Sequence, residues 1–335
     1  MANMNETTLA SAIKTMYEHR LLHRAVPRLI HGRFGIPATL NHFGSYELRK
    51  YGSLSTVTSA LAEGSTPAEQ ASPSLTVITI TPLFYGSWVG HTDVLEMQAY
   101  DPIIEEVSNI LGEQCGVSAD TLIRNTMTAN ATLDYSGGES AIGNLVQTSD
   151  MVTYADFVRQ VAALENANAL PVEGENFVCI MHPFTWASLM QDPVFVNLFF
   201  EEAEGDGEAN PLRSGYVGRL MRCNIYVSSN VQSYSGSGAG SCTPYSMLFI
   251  AKEAYGYVGM AGITPDELDA PGMGEWETNT MKEVRPVEII VKQLGSSGAL
   301  DPLNQRATIG WKMSLATSVL NSTWIRNLEH ININS

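Results

Sequence analysis

IGWKMSLA, residues 309–316, alternates Ile309, Trp311, Met313 and Leu315 with Gly310, Lys312, Ser314 and Ala316. A period of two puts the four bulky side chains on one face, which makes the segment a half-buried β-strand. Just upstream, EVRPVEIIVKQ (283–293) is also strand-like, as are the short apolar runs SMLFIA (246–251) and Phe177–Met181. Helical spacing appears between such runs, over Tyr154–Ala169 and again after His182-Pro183. GYVGRLMRCNIYVSSNV (215–231) supplies a turn and a strand, and SYSGSGAGS (233–241) a flexible connection. Strands and helices succeeding one another in this way indicate a mixed α/β (α+β) fold.

The first half of the chain has a different character. Leu9, Ile13, Met16, Leu21 and Leu22 form an imperfect helical stripe that Pro27 ends, an arm with little core of its own. Residues 46–61 are rich in Ser, Thr, Tyr and Val, and LTVITITPLFYGSWV (75–89) reads as strand; between them lies the tip EGSTPAEQASP (63–73). Two extended segments around a Gly/Pro/Ser tip predict a long hairpin, and an isolated two-stranded ribbon is marginal in water, so it needs a neighbour. A long helix then begins with Asp101 as cap, Pro102 in the first turn and Glu105 and Glu106 at the positive end of the dipole. Ile103, Val107, Ile110 and Leu111 repeat helically, a break is expected near Gly116, and Leu122, Ile123 and Met127 carry the pattern to about Ala129.

Composition narrows the function. The chain has 335 residues, 44% of them hydrophobic, enough for a sizeable core and about two domains. Its 19 basic and 35 acidic residues give a net charge of −16, which argues against wrapping nucleic acid by counterion release. A surface that only confines DNA can be acidic. Up to Arg33 the balance reverses, with Lys14, Arg20, Arg24, Arg28 and Arg33 against Glu6 and Glu18, so this arm can pair with acidic surface on another copy. No apolar run is long enough to cross a membrane and Met1–Leu22 lacks the pattern of a signal peptide, so a cytosolic chain without membrane contact is expected.

Candidate chemistry is sparse. Cys115, Cys179, Cys223 and Cys242 have no CxxC spacing and read as small buried hydrophobes. Gly236, Gly238 and Gly240 mimic a phosphate loop, but no Lys-Ser/Thr follows and Pro244 interrupts the helix that should receive the phosphate. His19 and His23 lie four apart with no carboxylate base between them, unlike a zinc-protease helix. His182 follows a strand, where an enzyme places a base, yet no nucleophile elbow accompanies it and a local cap or turn is the simpler role. The acidic run Glu201, Glu202, Glu204, Asp206 and Glu208 reads as a solvated loop. Asn130-Ala-Thr132 and Asn321-Ser-Thr323 match the glycosylation triplet by chance. No catalytic residue, metal ligand or cofactor-binding residue is expected, and no cofactor.

The order of pieces, namely arm, long hairpin, spine helix, α/β region and returning strands, resembles the HK97-type coat proteins of tailed phages. Within that fold the chain is similar to the coat-protein family named after coliphage N-four, through GSYELRKYGSLSTVTSALAEGSTP (44–67), YGSWVGHTDVLE (85–96), FVCIMHPFTWASLMQD (177–192), GYVGRLMRCNIYVSSN (215–230), IAKEAYGYVGMAG (250–262) and above all GALDPLNQRATIGWK (298–312). The resemblance implies an N-terminal arm over 1–35, an E-loop over 45–92, a peripheral domain with its spine helix over 93–150 and 283–330, and an axial domain over 151–282. TPDELDAPGMGEWETNT (264–280) has no counterpart in this scheme.

The function so implied is a major capsid protein that self-assembles into the icosahedral head shell around double-stranded DNA, without sequence-specific binding. It would be a homo-oligomer of hexamers and pentamers, made in the host bacterial cytoplasm and located in the virion capsid, with portal, scaffold and decoration proteins as possible partners. The short arm implies a separate scaffold or none. Expected intersubunit contacts are Arg20, Arg24, Arg28 and Arg33 on the arm and Glu63, Thr66, Pro67 and Glu69 at the hairpin tip. The alternatives are an encapsulin-like shell around protein cargo and a soluble α/β enzyme with dispersed catalytic residues.

Overall fold

The computed structural model describes residues 30–38, 45–52, 54–58, 60, 63, 64, 66, 69, 70, 72–98, 103–147, 149–195, 216–258, 287–292, 303 and 305–333. Its strands are β1 (Ile36–Ala38), β2 (Tyr46–Tyr51), β3 (Leu75–Ile80), β4 (Leu83–Thr92), β5 (Thr132–Tyr135), β6 (Phe177–Met181), β7 (Tyr216–Leu220), β8 (Cys223–Val227), β9 (Tyr245–Ile250), β10 (Tyr255–Val258), β11 (Val287–Lys292), β12 (Arg306–Val319) and β13 (Ile325–His330). The α-helices used below are α1 (Asp93–Gln98), α2 (Ile103–Asn130), α3 (Tyr154–Asn166) and α4 (Pro183–Leu189). Outside the described residues lie Arg20, Arg24, Arg28 and Pro67, His19 and His23, the Asp101-Pro102 start signal, the acidic run 201–208 and the segment 264–280.

The alternating stretch that opens the argument is the middle of β12, the longest strand at 14 residues. Ile309, Trp311, Met313 and Leu315 are buried as the pattern requires. Over 308–313 this strand is paired on both edges, by β4 and by β11, and its far end pairs with β10, which β1 joins in parallel. One expectation fails here: residues 75–89 are two strands. Pro82 has no N–H to donate to a ladder, so the pairing stops at Ile80 and restarts at Leu83. Among the described residues β3 pairs only with β2, whereas β4 passes into the five-stranded sheet.

α2 runs 28 residues, about 42 Å at 1.5 Å per residue, without the break expected near Gly116. Gly116 is buried, and packing on both sides of it outweighs a glycine penalty of about 1 kcal/mol. Leu111, Cys115, Ala119, Ile123 and Met127 form the buried stripe, while Ile110 is exposed and does not belong to it. Near its start the helix meets the five-stranded sheet, where Trp311 Nε1 donates to Gln114 Oε1 at 3.1 Å. Further along it joins the same core as the second sheet.

That second sheet has six strands in the order β5-β13-β9-β6-β8-β7. β6 is buried throughout, and its faces divide by parity: Val178 and Ile180 look toward α2, whereas Phe177, Cys179 and Met181 share a core with Phe157, Val161 and Leu164 of α3 and Leu189 of α4. A sheet covered on both faces produces the short apolar runs seen in the sequence. α3 starts at a capping box between Thr153 and Asp156 and ends at Asn166, three residues before the expected Ala169. The expected turn and strand at 215–231 is a hairpin, β7 and β8, turned at Met221 and Arg222 with φ of 49° and 58°. All four cysteines are buried and free, and burial pushes Cys115 up to about 12.

Candidate assembly surface

The ribbon of β2 and β3 has two unlike faces. Tyr46, Leu48 and Ile78 pack with Ala38, Ile80 and Val258, which anchors the base of the ribbon on β1 and β10. The opposite face and the continuation are in solvent, with Tyr51, Leu54, Val57, Leu75 and Val77 all exposed. After the Gly52 N–H donates to Ser74 O at 2.7 Å the ladder ends. Glu63, Thr66 and Glu69 are exposed at the tip. The ribbon is therefore fixed at its root and, over its described outer part, presents aliphatic side chains that this chain does not cover. A two-stranded ribbon is marginal alone in water, and exposed apolar side chains grouped in this way favour a covering partner.

A second exposed area lies on the outer face of the five-stranded sheet. Ile290, Gly310 and Trp88 stand side by side on β11, β12 and β4. Trp88 is 71% exposed; its Cβ would be 2.8 Å from a Cβ built on Gly310, and its ring carbon Cζ3 3.3 Å from one built on Gly90, so glycine at both positions leaves room for this side chain. Lys312 sits 4.2 Å from the ring centroid of Phe84 on the same face. Sequence reasoning missed Trp88, although Gly86, Trp88 and Gly90 share one face of a strand and announce an aromatic lying on bare backbone. Arg33, expected at a subunit contact, is exposed with its guanidinium 5.5 Å from the Tyr226 ring and 5.8 Å from Phe34 of its own chain.

The remaining candidates have local duties. His182 caps α4: its Nδ1 accepts from the Phe184 N–H at 3.2 Å, and its ring rests 4.8 Å from Tyr245. Burial pulls its pKa down, so it serves as a neutral acceptor. His182→Gln is expected to lower the melting temperature by a few degrees, about 1 kcal/mol for a weakened cap, and to leave assembly intact. Loss of a measurable turnover in that variant would instead identify an enzyme. The glycine loop is held in place, with the Ala239 N–H donating to Leu145 O at 2.9 Å and Cys242 Sγ beside Leu145 O at 3.3 Å. Among the described residues no cluster of His, Cys, Asp and Glu could hold a metal, and no helix is long and apolar enough to cross a membrane.

His330 is a buried group whose shift bears on mildly acidic pH. It is fully buried, with Nε2 2.7 Å from Thr185 Oγ1 and Nδ1 3.2 Å from Leu328 O. A carbonyl only accepts, so Nδ1 carries the proton and Nε2 accepts from the Thr185 hydroxyl. Burial pulls its pKa down to about 4. The unfolded chain thus binds more protons between pH 6.5 and 4, and stability falls by up to about 3 kcal/mol as pH drops through that window. Buried Glu329, whose pKa burial pushes up, works in the opposite sense. Urea melts at both pH values, compared between the native chain and His330→Gln, isolate the histidine part; an unchanged pH slope in the variant would refute it.

Comparison with known proteins agrees with this architecture. A family described as Phage capsid protein matches residues 77–325. Among solved structures the chain is similar to the capsid of Ralstonia phage GP4, at 15% identity over 91% of each chain with a TM-score of 0.66. It is also similar to the cyanophage Pam1 capsid, at 14% identity over 93% of this chain and 92% of the other with a TM-score of 0.61. For the head of Helicobacter pylori bacteriophage KHP40 the values are 11%, 88% and 86%, and 0.59. No relative was found among curated protein sequences. With most of its length matched by that family and its fold shared with those shells, the chain belongs to the phage capsid protein family and is a phage major capsid protein of the HK97-like fold.

Proposed function

We propose that this protein builds the icosahedral head shell of a tailed phage, in hexamers and pentamers that enclose double-stranded DNA without reading its sequence, and that it acts by assembly and not by catalysis. The observation that carries the reading is the ribbon, anchored at one end and apolar where it leaves the subunit. Laid across an adjacent copy, it covers Tyr51, Leu54, Val57, Leu75 and Val77, and closed symmetry repeats that contact at every position. In this scheme residues 1–35 are the arm, the ribbon and its tip are the working part of the 45–92 E-loop, 93–150 with 283–330 form the peripheral domain, and 151–282 form the axial domain. Arg20, Arg24, Arg28 and Arg33 of the arm and Glu63, Thr66, Pro67 and Glu69 of the tip are the proposed contact residues. The net charge of −16 suits a wall that confines DNA without gripping it.

Portal, scaffold and decoration proteins are proposed partners, and the host bacterial cytoplasm is the proposed place of synthesis. Electron microscopy of the expressed protein, with nuclease protection of any contents, tests the reading. Closed shells are expected, and shells from infected cells should protect DNA. Shells filled with protein cargo would indicate an encapsulin-like compartment, and particles of one to four subunits a soluble protein.

A further inference from the structure

Asp120 lies near the middle of α2 and is fully buried. Its carboxylate receives four donors. Oδ1 accepts from the backbone N–H groups of Ile30 and His31 at 2.9 and 2.7 Å, and Oδ2 accepts from His31 Nδ1 at 2.7 Å and Asn230 Nδ2 at 2.8 Å. Three of the four come from two adjacent residues at the root of the N-terminal segment, 89 and 90 positions away. The same root is held from the other side, where the Tyr255 hydroxyl donates to His31 O. Behind the carboxylate, Arg124 donates to both oxygens of Asn230, at 3.0 and 3.1 Å, and so fixes the fourth donor.

The backbone is built to lie close at this point. A Cβ on Gly35 would come within 2.5 Å of the Tyr255 ring, so only a glycine lets the chain pass there. The charge itself is not needed for packing. Burying a carboxylate in a core is expensive, and apolar residues of similar volume usually serve stability at least as well. His31 Nε2 is buried without a partner, a further cost that an apolar side chain would avoid. What a carboxylate adds is direction, because two backbone N–H groups converging on one oxygen define both the position and the heading of the segment.

We infer that Asp120 is a positioning residue that fixes the place and heading of the backbone at Ile30 and His31, to which the N-terminal segment is joined. Building on the proposal that this segment contacts neighbouring copies, Asp120 determines which neighbour the arm can reach, and it does so identically at every position in the shell.

The test is hydrogen exchange of the full-length, unassembled chain. In Asp120→Ala the amides of Ile30 and His31 should exchange roughly 10- to 100-fold faster, the effect of losing a charged acceptor, while β6 and β9 keep their rates. Asn230→Ala, which removes a donor but leaves the root's acceptor, should change those two amides far less. Unchanged exchange at Ile30 and His31 in a folded Asp120→Ala chain would overturn the inference. A rise shared equally by β6 and β9 would also overturn it, since it would give Asp120 only a general role in stability. Should Asp120→Ala not fold, Asp120→Asn keeps the size of the side chain but removes the charge of the acceptor, and a selective rise at the same two amides, smaller than that of Asp120→Ala, is required of it. Shell yield separates the two readings: freed amides with normal shells leave Asp120 as the anchor and overturn the arm's part in assembly.

Discussion

Removing Gly64–Pro73 and closing the ribbon with an Asn-Gly turn should give a subunit that folds as the native chain does and no longer forms shells. The cut takes out polar, exposed residues, Thr66, Glu69 and Gln70 among those described, and the one described cross-link it breaks is Gln70 Nε2 to Ser55 O at 3.3 Å. Folding stability should therefore change by no more than about 0.5 kcal/mol, the range of surface substitutions away from special features. Assembly should fail because the tip, with the proposed contact residues Thr66, Pro67 and Glu69, is lost from every copy together. Circular dichroism and thermal melting follow the fold, and sedimentation velocity follows the shells. Full-sized shells from a well-folded variant would remove the tip from the assembly contact, and a variant that cannot fold would move the tip into the core.

Phe249→Ala should act in the opposite way. Phe249 is fully buried on β9, which is flanked by β13 and β6 near the middle of the six-stranded sheet. Its ring centroid lies 5.2 Å from that of Phe157 at 65°, within the core that α3 and α4 close. Neighbours drawn from a sheet and two helices cannot collapse into the space together, so the loss should be about 3 to 5 kcal/mol, with a melting shift on the order of 10 °C. Urea unfolding of the unassembled subunit measures it. A loss under about 1 kcal/mol would mean that this core repacks freely, contrary to interior packing in general.

Much of the fold is legible because it follows one repeating pattern at a time. β12 announces itself by alternation, β6 by an unbroken apolar run and α3 by its cap. β13 does not, since Asn327, Glu329 and His330 are buried within it and a hydrophobic count sees a polar segment. Their burial is made tolerable by partners distant in sequence, as in Ser246 Oγ with Asn327 Oδ1 and Thr185 with His330. The split at Pro82 was available from the chemistry of proline, but a strong run of β-formers on both sides concealed it. Continuity through Gly116 could come only from packing. The ribbon was readable as a hairpin with nothing to lean on, whereas which of its faces rests on the body depends on Ala38 and Val258, 220 residues apart in sequence.

Trp88, spread over bare glycine backbone with its outer side in water, also makes the protein its own optical reporter. An indole in that position emits at the long-wavelength, solvent-relaxed end of its range, while Trp311, on the inner face of the same sheet, is already sheltered. Anything that settles on the outer face of β4 and β12 shifts only the first of these signals. The sheet thus carries one indole open to its surroundings and another that is sheltered, two of the chain's five tryptophans, so that Trp88→Phe assigns any change in emission to the outer face.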